Sequence, residues 1–367
     1  MKKIIAIGAA MAATLCVTAQ SVSDYAVRRS EYPRIIDNCR AEFKVNAPDA
    51  RDVKVDIDGK KYDMTKDAEG RWTCVTDSIG PGFQYYFLIV DGMRVSDPSS
   101  RTFYGCGVDA SGIEIPYAKD DTRFQPKNVP HGEVVSRRYY SDAAGAWKEM
   151  KIYLPPCYHK DASKTYPVLY LQHGGGEDQD GWSRQGRTDI MLDNLIAEGK
   201  AQPMIIVMSD GNSSDFTKEL IEECIPLVES TYRVKTDAGS RALAGLSMGG
   251  IQTLNAVIEH PELFRYVGVF SSGWLANSNI DASFAKADTA EKYYSMLGTD
   301  KDKYNKQFKE FWLSMGGPED IAYNNCKIMR KRFDDMGINY KYFETPGGHT
   351  WPVWRESLYR FSQLLFK

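Results

Sequence analysis

Residues 241–250 read RALAGLSMGG, a run of small and apolar residues leading to one serine between two glycines. Gly245-Leu246-Ser247-Met248-Gly249 fits the pattern G-x-S-x-G, and it lies between a buried-strand pattern and the helical IQTLNAVIEHPELF. A sharp strand-to-helix turn of this kind presents a serine hydroxyl as a nucleophile, and flanking glycines avoid clashes where a Cβ would not fit. The plain alternative is an ordinary turn, because short glycine patterns arise by chance in a chain with 30 glycines. The strand–turn–helix setting favours the nucleophile. Its hydroxyl then needs a base, usually a histidine held by a carboxylate, and along such a sheet the order is Ser, acid, His.

Two histidines follow Ser247. His260 sits at the end of the helical stretch, where capping or solvent exposure accounts for it. His349 lies in ETPGGHTWPVW, between the last strand and the last helix, where the base belongs, and its glycines leave room for substrate. For the acid, Asp320 in WLSMGGPEDIAYNN is favoured, with the adjacent Glu319 in reserve and Asp281 as a lesser candidate from the preceding loop. Acyl transfer also needs donors for an oxyanion. His173-Gly174-Gly175-Gly176 follows a strong strand and supplies one donor, and the N–H of Met248 supplies the other. His173 itself reads as structural.

Two rhythms organise the chain around these residues. From 25 to 117, AEFKVNAPDARDVKVDIDG, RWTCVTDSI and FQYYFLIVDGMRVSDPSS alternate with a period of two between Asp-Gly, Pro-Gly and Pro-Ser turns, which predicts a small β-sandwich. Tyr85, Tyr86 and Phe87 are consecutive on one strand and cannot all face one ligand. Residues 118–130 are polar with two prolines and read as a linker. From 131 to 367, apolar strands alternate with helical patterns, which predicts a mostly parallel α/β sheet with helices on both faces. In KELIEECIPLVESTY, residues Leu220, Ile221, Cys224, Ile225 and Val228 share one helical face.

Composition bounds the function. The chain is 43% hydrophobic and 26% charged with a formal charge of −3, and it has no basic block, so nucleic acid and anionic membrane surfaces are poor partners. The opening 19 residues carry Lys2 and Lys3, an apolar run too short for a membrane span, and Val17-Thr18-Ala19 as a cleavage site. They are expected to be a signal peptide cleaved after Ala19 and to direct export to the periplasm or beyond the cell. A lipoprotein reading through Cys16 is weakened by the bulk of Leu15. The six cysteines beyond it, Cys39, Cys74, Cys106, Cys157, Cys224 and Cys326, show no metal or redox spacing. Buried thiols are expected for most of them.

YLQHGGGEDQDGW, DNLIAEGKAQPMIIVMSDG, LAGLSMGG and PGGHTWPVW together resemble the carbohydrate-esterase group of feruloyl and acetylxylan esterases, relatives of esterase D and antigen 85 on the α/β-hydrolase fold. The resemblance covers residues 131–367. GRWTCVTDSIGPGFQYYFLIVDGMRVSDPSS resembles the early-set immunoglobulin-like domain that precedes the catalytic domains of glycogen-branching and debranching enzymes. The resemblance implies Ser247 as nucleophile, His349 as base, Asp320 as its orienter, and Gly175 and Met248 as oxyanion donors, with no cofactor or metal needed. Trp182, Trp274 and Trp351, in loops expected after strands, offer stacking surfaces for an aromatic acyl group or a sugar. The alternative is that they simply pack the domain. Three functions stay open: a feruloyl or acetylxylan esterase acting on plant cell-wall fragments, a siderophore esterase of the enterochelin type, and a carbohydrate-binding protein with an inactive hydrolase domain.

Overall fold

The computed structural model describes residues 21–275 and 287–367. The expected leader, 1–19, and Asp281 lie outside the described residues. The chain divides into two compact units, Met1–Phe124 and Gln125–Lys367.

The first unit is built from two antiparallel sheets, of five and six strands. Its strands alternate as their sequence dictates. Arg40–Asn46 turns Ala41, Phe43 and Val45 inward, and Val53–Ile57 turns Val53, Val55 and Ile57 inward. Tyr86 lies in this core with no exposure, and its hydroxyl donates to Asp97 at 2.8 Å. Phe87, on the opposite face, is covered by the Arg94 guanidinium at 3.5 Å. The three aromatics that follow one another along the strand therefore serve different surroundings.

The second unit carries one eight-stranded sheet. Its strands are β1 (Glu133–Ser141), β2 (Ala146–Leu154), β3 (Val168–Gln172), β4 (Ile205–Ser209), β5 (Arg241–Leu246), β6 (Tyr266–Phe270), β7 (Glu310–Met315) and β8 (Lys341–Glu344). They lie in the order β1-β2-β4-β3-β5-β6-β7-β8. The β1–β2 and β2–β4 pairings are antiparallel and the others parallel. β3, β4, β5 and β6 are buried at every position, as continuous apolar runs must be when helices cover both faces. The helices that matter for the site are α1 (Thr188–Ala197), α2 (Met248–Glu259), α3 (Ala287–Thr299), α4 (Tyr323–Met336) and α5 (Trp351–Ser362).

The β1–β2 hairpin went unseen in the sequence pattern. Its β2 strand turns Met150, Ile152 and Leu154 inward, an alternation with Glu149 and Lys151 that is present in the sequence. The helical stretch 216–231 contains a wide turn at Glu219–Cys224, with Leu220, Cys224, Ile225 and Val228 buried and Ile221 only half-buried. Burial pushes the Cys224 and Cys326 thiols up to about 12. The expectation of mostly buried cysteines holds for those two alone. Cys39, Cys74 and Cys157 are half-buried, and Cys106 is exposed. Among the described residues no helix is long and apolar enough to cross a membrane.

Candidate active site

The serine turn forms where β5 ends and α2 begins. Ser247 adopts φ 51°, ψ −116°, a conformation that strains any residue with a side chain. Three backbone and side-chain ties hold it there. Its N–H donates to Phe270 O at 2.9 Å. The N–H of Gly249 donates to His173 O at 3.1 Å. The Ser272 hydroxyl donates to the Ser247 carbonyl at 2.6 Å. The flanking glycines are required by contact. A Cβ on Gly245 would stand 2.3 Å from Gly249 O, and one on Gly249 would stand 2.5 Å from His173 O. Ser247 itself is half-buried, so its hydroxyl is reachable.

Asp320 follows β7 and His349 follows β8, on the same C-terminal edge of the sheet as Ser247. His349 Nδ1 donates to Asp320 Oδ1 at 2.8 Å. The Asp320 side chain is fully buried, whereas that of His349 keeps 17% of its surface open. Burial opposes charge on Asp320. The hydrogen bond and charge of His349, the Ala322 N–H and the Ser271 hydroxyl outweigh it and hold the carboxyl below its ordinary value. The group is thus a carboxylate at neutral pH, able to fix the imidazole tautomer and to stabilise the imidazolium.

Glu319 is exposed, and its Oε1 takes the Gly347 N–H at 3.3 Å. Of the two neighbouring acids, only Asp320 reaches the imidazole. Glycines of the loops after β7 and β8 approach each other closely beside His349. They let two loops interlock: Gly317 N–H donates to Gly347 O at 2.7 Å, and a Cβ on Gly316 would stand 2.3 Å from that oxygen.

The His173–Gly176 loop presses on the serine turn. A Cβ on Gly174 would lie 3.3 Å from Ser247 Cβ. Among the described residues, the N–H groups of Met248 and Gly175 meet no hydrogen-bond acceptor, which leaves both able to bind an oxyanion. Both nitrogens of His173 are occupied: Nδ1 donates to Gly174 O at 2.8 Å, and Nε2 accepts from the Gly211 N–H at 3.0 Å. That holds the ring in a structural position.

The three tryptophans expected at the substrate site are instead packing residues. Trp182, Trp274 and Trp351 are 1%, 3% and 1% exposed. Trp182 donates to Gln172 O at 2.8 Å and meets Trp351 edge-on at 5.3 Å. Trp351 meets Trp354, which in turn meets the His349 ring edge-on at 5.1 Å. The aromatic chain buttresses the base. Trp274 stacks on Tyr293 of α3 at 5.5 Å and meets Phe333 of α4 edge-on, and its Nε1 donates to Asn255 Oδ1. No face of these rings is open to a ligand.

Sequence reasoning missed Ser271 and Ser272. Both follow β6 and are buried, Ser271 at φ 44° with its N–H on Ser314 O at 2.8 Å. Ser272 binds the nucleophile's carbonyl and Ser271 favours the charge on Asp320. Their only signal was a polar pair closing an apolar strand.

Residues 141–364 match the profile of a family described as "Putative esterase". An endo-1,4-beta-xylanase/feruloyl esterase of Xylanibacter ruminicola is 34% identical over 357 residues, 92% of this chain and 46% of that protein. The chain thus spans about half the length of that relative. A ferulic acid esterase of Anaeromyces mucronatus, solved with ferulic acid, superimposes with a TM-score of 0.57 at 23% identity, over 68% of this chain and 96% of that one. The enterobactin esterase of Shigella flexneri superimposes with a TM-score of 0.69 at 17% identity, over 89% of this chain and 93% of that one. With this fold, this turn and this profile, the chain belongs to the esterase family, on the α/β-hydrolase fold.

Proposed function

We propose that the protein is a serine esterase that releases hydroxycinnamic acids of the ferulate type from plant cell-wall xylan fragments. Ser247 attacks the ester carbonyl while His349 takes its proton, and Asp320 stabilises the imidazolium. The N–H groups of Met248 and Gly175 receive the oxyanion. Collapse of the tetrahedral intermediate releases the sugar alcohol, protonated by His349. Water, deprotonated by the same histidine, then attacks the acyl-enzyme and frees the acid.

The observation that carries the chemistry is the 2.8 Å hydrogen bond between His349 and buried Asp320, on the sheet edge that also bears the strained Ser247 turn. The substrate class rests on the Xylanibacter relative, whose similarity runs over 92% of the chain. Export, the expectation attached to residues 1–19, belongs to the same proposal.

The test compares three substrates under one assay. Ferulate should be released from a feruloylated arabinoxylan oligosaccharide with a kcat/KM at least about tenfold above that for acetylated xylan or a catechol trilactone. Preference for the trilactone would replace this reading with the siderophore one. Inactivity towards all three and towards simple aryl esters would revive the binding protein.

A further inference from the structure

Among the described residues of the second unit, an open pair of aromatic rings lies away from the serine turn, on the β1–β2 hairpin. Tyr140 and Trp147 face each other across the two strands, 51% and 74% exposed. Their rings meet edge to face at 5.7 Å, and the indole still keeps most of its surface in solvent. The next outward pairs in register are Arg138 with Glu149 and Ser136 with Lys151. Arg138 Nε lies 3.5 Å from Glu149 Oε2, and Lys151 Nζ donates to Ser136 Oγ at 2.7 Å. One face of the hairpin is therefore a strip: two aromatic rings, then a row of planar and cationic hydrogen-bonding groups.

The strip runs towards the proposed site. Lys151 Nζ also reaches Asp180 Oδ1 at 3.3 Å, and Asp180 closes the segment that begins with the His173–Gly176 loop. The register fixes the direction. Met150 of β2 pairs with Ser209, the last residue of β4, so Ala146–Glu149 pass beyond the sheet edge that carries Ser247. Three strand spacings separate β2 from β5, about 14 Å. The opposite face of the hairpin is clamped. Tyr139 donates to Glu219 Oε1 at 2.6 Å, and buried Lys148 pairs with Glu219 Oε2 at 2.8 Å. The strip is thus held on a fixed support.

We propose that this strip is a saccharide-binding subsite that takes the xylose chain on the alcohol side of the ester. The chemistry selects the occupant. Charges of both signs alternate along the strip, so neither a polyanion nor a polycation is favoured. Two rings rimmed by charges fall far short of the roughly 800 Å² per partner that a stable protein interface buries. A neutral pyranose chain fits both parts: its C–H faces stack on the indole and its hydroxyls meet Arg138 and Glu149, while Lys151, bonded to Ser136, Glu149 and Asp180, holds the row in place. The cross-strand aromatic pair also stabilises the hairpin, but that contact leaves about three quarters of the Trp147 surface in solvent and unexplained.

The proposal rests on the esterase reading for the identity of the chain, and its test separates the two. Wild type, Trp147→Ala and Trp147→Tyr are assayed on a feruloylated xylo-oligosaccharide and on methyl ferulate, and binding of unsubstituted xylohexaose is measured by calorimetry. Trp147→Ala should raise KM for the oligosaccharide about fivefold to tenfold at unchanged kcat, leave methyl ferulate kinetics unchanged and weaken xylohexaose binding, with Trp147→Tyr restoring most of each. A wild type that binds xylohexaose through Trp147 but releases no ferulate would keep the subsite and sink the esterase reading. Absence of xylohexaose binding, an unchanged KM in Trp147→Ala, or an equal loss on both ester substrates would overturn the subsite.

Discussion

The two ends of the eight-stranded sheet use aromatic residues in opposite ways. At the β5–β8 end, Trp182, Trp351 and Trp354 are sealed behind His349 and serve as its backing. At the β1–β2 end, Trp147 stands open on a rigid strand. Chemistry at the first end depends on fixing a few atoms within fractions of an ångström, so every large ring nearby is consumed in packing. Recognition at the second end needs an exposed face, and the hairpin provides one at little structural cost. The division of labour is a property of where a side chain points, which residue type alone does not reveal.

Breaking the first end should have the larger effects. Asp320→Asn leaves a group of the same shape but removes the charge that fixes the imidazole tautomer, and should lower kcat about 10⁴-fold. Glu319→Gln disturbs one long contact to the Gly347 N–H and should change kcat less than about threefold. Steady-state kinetics of the pair on methyl ferulate decides between the acids, and a comparable loss in both would dissolve the assignment. Ser272→Ala removes the hydroxyl that holds the Ser247 carbonyl at 2.6 Å. We expect kcat to fall about fivefold to tenfold with KM unchanged, and stability to fall by about 1 kcal/mol in denaturant unfolding. Recovery in Ser272→Thr would mark the hydroxyl as the operative group.

A smaller effect separates stability from catalysis. His131 bonds Asp193 at 2.9 Å and the Lys127 carbonyl at 2.9 Å, tying the start of this unit to α1. The Asp193 hydrogen bond, then the Lys127 carbonyl, raise its pKa above the ordinary value of 6.5. Because the folded value lies above the unfolded one, this contribution is complete below about pH 6.5 and is lost as pH rises through the raised value. The side chain is half exposed, so the effect is small. The melting temperature of His131→Gln should fall below wild type by at most about 2 °C at pH 5.5, and the gap should close in alkaline buffer, with kcat unaffected. A gap that widens with pH would reverse the sign.

Sequence reading reached furthest where backbone constraints are local. Gly245 and Gly249 could be read as essential because a Cβ has nowhere to go, and their contacts with Gly249 O and His173 O bear that out. The apolar runs of β3 to β6 also declared themselves, being buried on both faces. Reading failed where identity and exposure part company. Three tryptophans near predicted strand ends suggested a substrate wall, yet each is buried among neighbours from distant segments. β2 carries Met150, Ile152 and Leu154 in alternation with Glu149 and Lys151, a strand signal that the sequence reading passed over. Ser271 and Ser272 act through groups that are remote in sequence, Asp320 and Ser247, and no spacing rule links them.

The central claim is that Ser247 forms the acyl bond. Denaturing mass spectrometry, after brief reaction with an aryl fluorophosphonate, tests it most directly. The account predicts one adduct per chain, mapped to the peptide containing Ser247, absent from Ser247→Ala and much slower to form in His349→Ala. A full-rate adduct on any other residue, or labelling of Ser247→Ala at the wild-type rate, would contradict it.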